Sequence, residues 1–288
     1  MTKLSAIGAI RFAYGFAFGQ IGAIIGLAWL PLVLVAILQF LPYAIGTAYP
    51  GGDAAQEGGA AALNLTFSTA ALMLYAINCV SVTRQALGLR QGTASVHFAL
   101  GWPEWRMFAA IVISGLILFA LIGLYVMIGT ALFSATRAVP LLAIVAGLYA
   151  IAGLCVVAWL VLRLVFLLPP VVVINERVDF LRAWMLSRGN FWRILAVIIV
   201  VIVPLLLVQS AAIAVIVGPG IFAPLTGNPQ AMGVALQERV VMLDRHMATM
   251  IGLALVLAPF SLGLTLGASS YAFRALAGDR PTGRPASQ

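Results

Sequence analysis

The sequence predicts an all-α polytopic membrane protein: six transmembrane helices in three similar pairs, each pair preceded by a short cytoplasmic interfacial helix. Three observations predict it. Hydrophobic residues make up 63% of the 288 positions and charged residues 8%, where a soluble domain carries about 25% charged residues. So few charges cannot cover a water-facing surface. Six apolar runs reach the roughly 20 residues that a spanning helix needs. The arginines, finally, fall almost entirely on alternate loops. These observations exclude a soluble enzyme, a disordered chain and a disulfide scaffold. Strand-like alternation of apolar and polar residues is absent, which argues against a β-barrel.

The first run, Ile21–Ile45, follows Lys3 and Arg11. It exceeds the 7–15 apolar residues of a signal peptide, so it reads as a retained span. The stretch 46–62 is rich in Gly and Ala, lacks basic residues and reads as a flexible outer loop. Span 2 is Leu63–Thr83, span 3 Met107–Phe133 and span 4 Pro140–Leu168. Span 5 is Phe191–Val217 and span 6 Met247–Phe273. Between the last two, 218–246 opens with a Gly/Pro turn. A helix from Asn228-Pro229 through Leu243 then lies on the outer membrane face or over the bundle. Residues 1–276 form one domain, and the polar, Pro-bearing tail 277–288 reads as disordered and cytoplasmic.

Charge sets the orientation. With both termini in the cytoplasm, the inner side holds 13 basic residues: Lys3, Arg11, Arg84, Arg90, Arg106, Arg163, Arg177, Arg182, Arg188, Arg193, Arg274, Arg280 and Arg284. Against them stand four acidic ones (Glu104, Glu176, Asp179, Asp279), which leaves +9. The outer side holds Arg137, Arg239 and Arg245 against Asp53, Glu57, Glu238 and Asp244, which leaves −1. This is the positive-inside pattern of a multi-pass protein of the bacterial inner membrane. The net charge of +8 therefore points to anionic lipid at the inner leaflet, not to nucleic acid.

A repeat underlies the six spans, with units at about 3–83, 93–168 and 179–276. Trp105-Arg106 and Trp192-Arg193 fall 87 residues apart, each at the mouth of an outgoing span, and Gly19 precedes Trp105 by 86. Pro31 and Pro204 each lie twelve residues after the corresponding position. Copies of like orientation imply an axis along the membrane normal, unlike the inverted repeats of many transporters.

In the third unit, Asp179 is placed to cap a short helix and Gly189 to stop it. Phe180, Leu181, Trp184 and Met185 share one arc, Arg182 and Asp179 face away, and Leu186 spoils the polar side. Trp and Arg together suit the headgroup boundary. The candidate lipid-headgroup residues are therefore Trp105, Arg106, Arg182, Trp184, Arg188, Trp192 and Arg193.

Within the spans the polar content is low. No Asp, Glu, His or Lys lies near mid-span, and Arg163 sits close enough to an end to snorkel. That counts against a proton-coupled transporter, a voltage sensor and an intramembrane protease. Prolines 31 and 204 free backbone carbonyls, and with Gln39 and Gln209 they outline a possible intramembrane polar pocket. Asn78 reads as a helix-packing contact, as do the glycines of span 3. His97 and His246 fall on opposite sides, and Cys79 and Cys155 lie inside apolar runs, so no metal site, cofactor site or catalytic constellation emerges.

The stretch from Arg163 through Leu168-Pro169-Pro170 and Glu176 to Arg182-Ala-Trp-Met-Leu-Ser-Arg-Gly-Asn-Phe-Trp-Arg193 resembles a known bacterial family. That family is named after the membrane domain of glycerophosphoryl diester phosphodiesterases. The resemblance implies a six-span topology over nearly the whole chain. It implies no hydrolytic activity, because no soluble catalytic domain fits in this length. The expected function is non-enzymatic: contact with phospholipid headgroups through a basic, Trp-bearing cytoplasmic face, serving membrane or envelope homeostasis. Two other classes fit the composition: a transporter or channel for a small or lipid-like solute, and a membrane scaffold for a partner enzyme.

Overall fold

The computed structural model describes residues 3–48, 54–90, 100–136, 139, 142–222 and 229–278. Among these the protein is all α-helical, with ten α-helices, one 3-10 turn at Pro219–Phe222 and no strand. Six helices are long and apolar enough to cross a membrane. The chain is a polytopic α-helical membrane protein. His97, Asp53, Arg137 and residues 279–288 lie outside the described residues.

Three helical hairpins carry the spans. Helices α1 (Ala6–Gly19) and α2 (Ile21–Ala48) precede α3 (Ala54–Ala86), which returns along α2. Helix α4 (Trp102–Ala135) pairs with α5 (Leu142–Leu164), and α6 (Leu168–Asn175) continues α5 after a turn. Helix α7 (Phe180–Ser187) precedes α8 (Phe191–Ile216). After α9 (Pro229–Arg245), α10 (Met247–Ala277) returns along α8.

The packing order is cyclic. Each returning span packs on the outgoing span of the next unit: α3 on α4, α5 on α8, and α10 on α2. The returning segments α3, α6 and α10 also pack on one another. The short helices follow the same rule, α1 docking on α10 and α7 on α5 and α6. Three parallel repeats about an axis along the bundle require this pattern. Of the second such segment, 93–108, residues 93–99 lie outside the described residues and 102–108 are the first turns of α4.

Several boundaries differ from the sequence expectation. The stretch 46–62 is not one loop: α2 runs to Ala48 and α3 starts at Ala54. Alanine's helix propensity outweighs the glycines there. Span 4 does not end at Leu168. Pro169 and Pro170 lack N–H groups, which breaks α5 but suits the first turn of α6. Val171, Val172 and Val173 of α6 are then buried. The helix expected near 229–243 is present as α9, with Pro229 as its first residue.

Helix α1 goes beyond an interfacial role. Ala9, Ala13 and Ala17 are fully buried against α8 and α10. A Cβ on Gly263 would sit 3.1 Å from the Ala17 Cα, and one on Gly267 would sit 3.5 Å from the Ala13 Cα. Small residues on both helices allow the backbones this approach, which is how helices associate in lipid.

Prolines leave carbonyls without their helical donors, and neighbouring helices supply replacements. Pro204 cannot donate to the Val200 carbonyl, and the Tyr14 hydroxyl donates to it instead at 3.0 Å. Pro170 likewise frees the Phe166 carbonyl, which the Ser269 hydroxyl reaches at 2.5 Å. In oil such partners are obligatory. Pro204 therefore ties α8 to α1 and does not open a polar pocket.

Burial is concentrated at one end. The core draws on α1, the first third of α2, the last third of α3, the start of α4, α6 and the last half of α10. Toward the other end the helices expose apolar side chains, with α4 and α5 contacting each other through stacked Tyr125 and Tyr149 at 4.9 Å.

Candidate functional site: the basic end of the bundle

The packed end is also the basic end. The starts of α1, α4, α7 and α8 converge there with the ends of α3, α5, α6 and α10. Of the basic residues assigned to the inner side, Arg90 is described there as well, while Arg280 and Arg284 lie outside the described residues.

The seven candidate headgroup residues separate into two kinds. Arg193 donates from Nη1 to the Leu4 carbonyl at 2.9 Å, while the Leu4 N–H donates to Asn190 Oδ1 at 3.0 Å. This pins the chain's beginning to the start of α8. Arg106 pairs with Glu176 at 3.7 Å, linking α4 to the left-handed cap of α6, where Glu176 has φ 52°. Trp184 holds Arg163: the guanidinium lies 4.5 Å from the Trp184 ring centre and 4.9 Å from that of Trp159. The two indoles meet edge to face at 5.0 Å. These three candidates are structural ties between helices.

Trp105, Trp192, Arg182 and Arg188 remain on the surface. Trp192 is 76% exposed and Trp105 51%. Arg188 is exposed and Arg182 partly so, and neither forms an ion pair among the described residues. Lys3 and Arg11 are exposed at the same end, also without ion pairs.

Helix α7 shows why these residues project. Asp179 Oδ1 accepts from the Arg182 N–H at 2.9 Å, and Gly189 takes φ 80°, so the expected cap and stop both form. The expected apolar arc divides: Phe180 packs against the core and Trp184 against Arg163, whereas Leu181 and Met185 are exposed. Ala183 and Ser187 are buried and Leu186 packs into the core. Leu186, which seemed to spoil a polar side, is a core contact. Leu181 and Met185, one turn apart on α7, and Trp192 at the start of α8 are exposed apolar side chains, and Arg188 lies between them in the chain.

Sequence reasoning missed Trp102, 76% exposed at the start of α4. It also missed the Arg163 clamp, although Trp159 stands four residues before Arg163 on the same helix face.

The four candidates for an intramembrane pocket are not brought together. Pro31 is buried on α2, whereas Pro204 and Gln209 are exposed on α8. Helix α2 packs on α3 and α10, and α8 on α1 and α10. Gln39 lines a cavity, but with residues of α3 and the start of α10.

Among the described residues, no group of three or more His, Cys, Asp or Glu is placed to hold a metal ion. No family model, curated protein or solved structure matches the chain.

Proposed function

We propose that this is a non-enzymatic membrane protein whose basic end lies at the cytoplasmic face of a bacterial inner membrane and engages anionic phospholipid headgroups. The observation that carries the reading is the exposed α7–α8 junction. Exposed Leu181, Met185 and Trp192 stand on either side of Arg188 in the chain, and the Arg188 side chain has no ion pair among the described residues. Apolar side chains and indole enter the boundary between headgroup and acyl chain, and a free guanidinium reaches phosphate. Trp102, Trp105, Lys3 and Arg11 extend the same chemistry around the rim. The positive-inside rule supports the orientation. The resemblance to the membrane domain of glycerophosphoryl diester phosphodiesterases agrees with this reading through its topology.

A through-channel has less support. Ile24, Ala28, Ile77, Leu262 and Leu266 are buried across the bundle between the basic end and the cavity at Gln39.

The test uses Arg182→Glu/Arg188→Glu, which spares Arg106 and Arg193 because they hold helices together. The protein is placed in nanodiscs of mixed phosphatidylglycerol and phosphatidylcholine, and its bound lipid is quantified. Each arginine near the surface contributes about 1 kcal/mol toward anionic lipid, so the enrichment of phosphatidylglycerol drops about tenfold or more. Unchanged enrichment in a correctly folded double variant contradicts the proposal.

A further inference from the structure

At the end opposite the basic rim, α2, α3 and the start of α10 line an open cavity of about 690 Å³. Its walls are mostly apolar, with Val35, Ala71 and Leu72 among them, yet Gln39, Asn64 and Ser68 also face it. Among the described residues none of these three side chains has a hydrogen-bond partner. Two amides and a hydroxyl, all exposed to the cavity and without such partners, converge there, and polar groups facing an apolar surround favour a polar occupant.

The polar groups are sorted along the cavity. Gln20 and Gln85 are hydrogen-bonded at 3.0 Å across antiparallel α2 and α3. That register places Gln39 level with the interval between Asn64 and Ser68. It places Val35 level with Ala71, and Tyr75 deeper still. From Gln20 to Gln39 the helix rises about 28 Å at 1.5 Å per residue. This is close to the ~30 Å thickness of a hydrocarbon core. The polar trio therefore sits near the far membrane boundary, and the apolar walls run inward from it. Beneath, Ile24, Ala28, Ile77 and Leu262 are buried and close the floor.

We propose that this cavity binds one glycerolipid of the leaflet opposite the basic end, its ester region held by Gln39, Asn64 and Ser68 and an acyl chain lying along Val35, Ala71 and Tyr75. The chemistry matches in detail. Amide N–H groups and a hydroxyl donate to ester carbonyls, which only accept. Among the described residues no charged side chain lines the cavity, so the site reads the ester region and not the phosphate. The closed floor makes it a binding site entered from one leaflet, separate from the arginine-rich rim.

The test uses the full chain in liposomes of phosphatidylethanolamine and phosphatidylglycerol. Trace phosphatidylethanolamine carries a diazirine on one acyl chain, close to the ester, and adducts are mapped by mass spectrometry. Adducts concentrate in residues 35–39 and 64–75, severalfold above 116–127 of α4, which is the more exposed segment. Ala71→Trp fills the cavity and cuts them about tenfold, the equivalent of about 1.4 kcal/mol, without changing α4 labelling. Gln39→Leu/Asn64→Leu alters exposed side chains only and gives the same loss if Ala71→Trp does not fold. Cavity labelling no denser than that of α4, or unchanged in a folded variant, overturns the proposal. Loss of cavity labelling also in Arg182→Glu/Arg188→Glu overturns its independence from the basic end.

Discussion

Gly263→Leu is expected to lower the thermal midpoint of the purified protein sharply and to free α1 from the bundle. The glycine lies where α10 crosses α1 and α2. An added Cβ would meet Ile24 Cδ1 at 2.8 Å and the Ala17 Cα at 3.1 Å. Ile24 can rotate away, but the Ala17 backbone cannot, and the rest of a leucine has nowhere to go. Overpacking of this kind costs about 1–3 kcal/mol even where neighbours yield. The expected readouts are a lower unfolding midpoint in detergent and protease cleavage within residues 6–19. Gly252→Leu is the control, because no atom lies within 4 Å of a Cβ there. Equal midpoints for the two variants would contradict the packing described for α1.

Arg274→Met is expected to have the second large effect. Arg274 stands in the last turn of α10, donates from Nη2 to the Ala86 carbonyl at the end of α3, and lies 5.9 Å from the Phe12 ring centre. One side chain thus joins α10, α3 and α1. Methionine keeps much of the volume but leaves that carbonyl without its charged donor. A hydrogen bond to a charged group contributes about 1.5–3 kcal/mol, and the cation–π contact adds about 0.5–2 kcal/mol. Thermal unfolding measures the loss. Arg274→Lys restores the charge but not the planar fork, and recovers only part of it.

Both predictions rest on features that hydropathy does not encode. The spans were legible because a long apolar run has few alternatives, and the basic end because arginine cannot be hidden in lipid. Which face of each helix is buried was not legible, since lipid tails are as apolar as leucine. Small residues carry that information. Ala9, Ala13 and Ala17 repeat every four positions, and Ala17 and Ala13 face Gly263 and Gly267, yet no run of large apolar residues draws attention to α1. Leu186 and Leu181 are the same residue type on one short helix, and tertiary packing alone sends the first inward and the second outward.

The candidate site was partly legible for a related reason. Trp-Arg pairs at span mouths mark the boundary, but an arginine serves equally well as a tie between helices. Arg193 and Arg106 became ties because a carbonyl at Leu4 and a carboxylate at Glu176 lie within reach. Arg188 is exposed and without an ion pair among the described residues, beside the turn at Gly189. The four pocket candidates do not meet because spacing along single helices says nothing about which helices pack together. Gln39 faces α3, and Pro204 found its partner in Tyr14.

Sidedness tests the central claim most directly: six crossings, with every arginine-rich helix end on one face. Single cysteines at Arg188 and Gly88 on the basic end and at Gln237 on α9, in a chain lacking Cys79 and Cys155, are probed in intact cells with a membrane-impermeant maleimide. The account predicts labelling of Gln237→Cys from outside, and of Arg188→Cys and Gly88→Cys only after the membrane is opened. Labelling of Arg188→Cys and Gln237→Cys from the same side would contradict it.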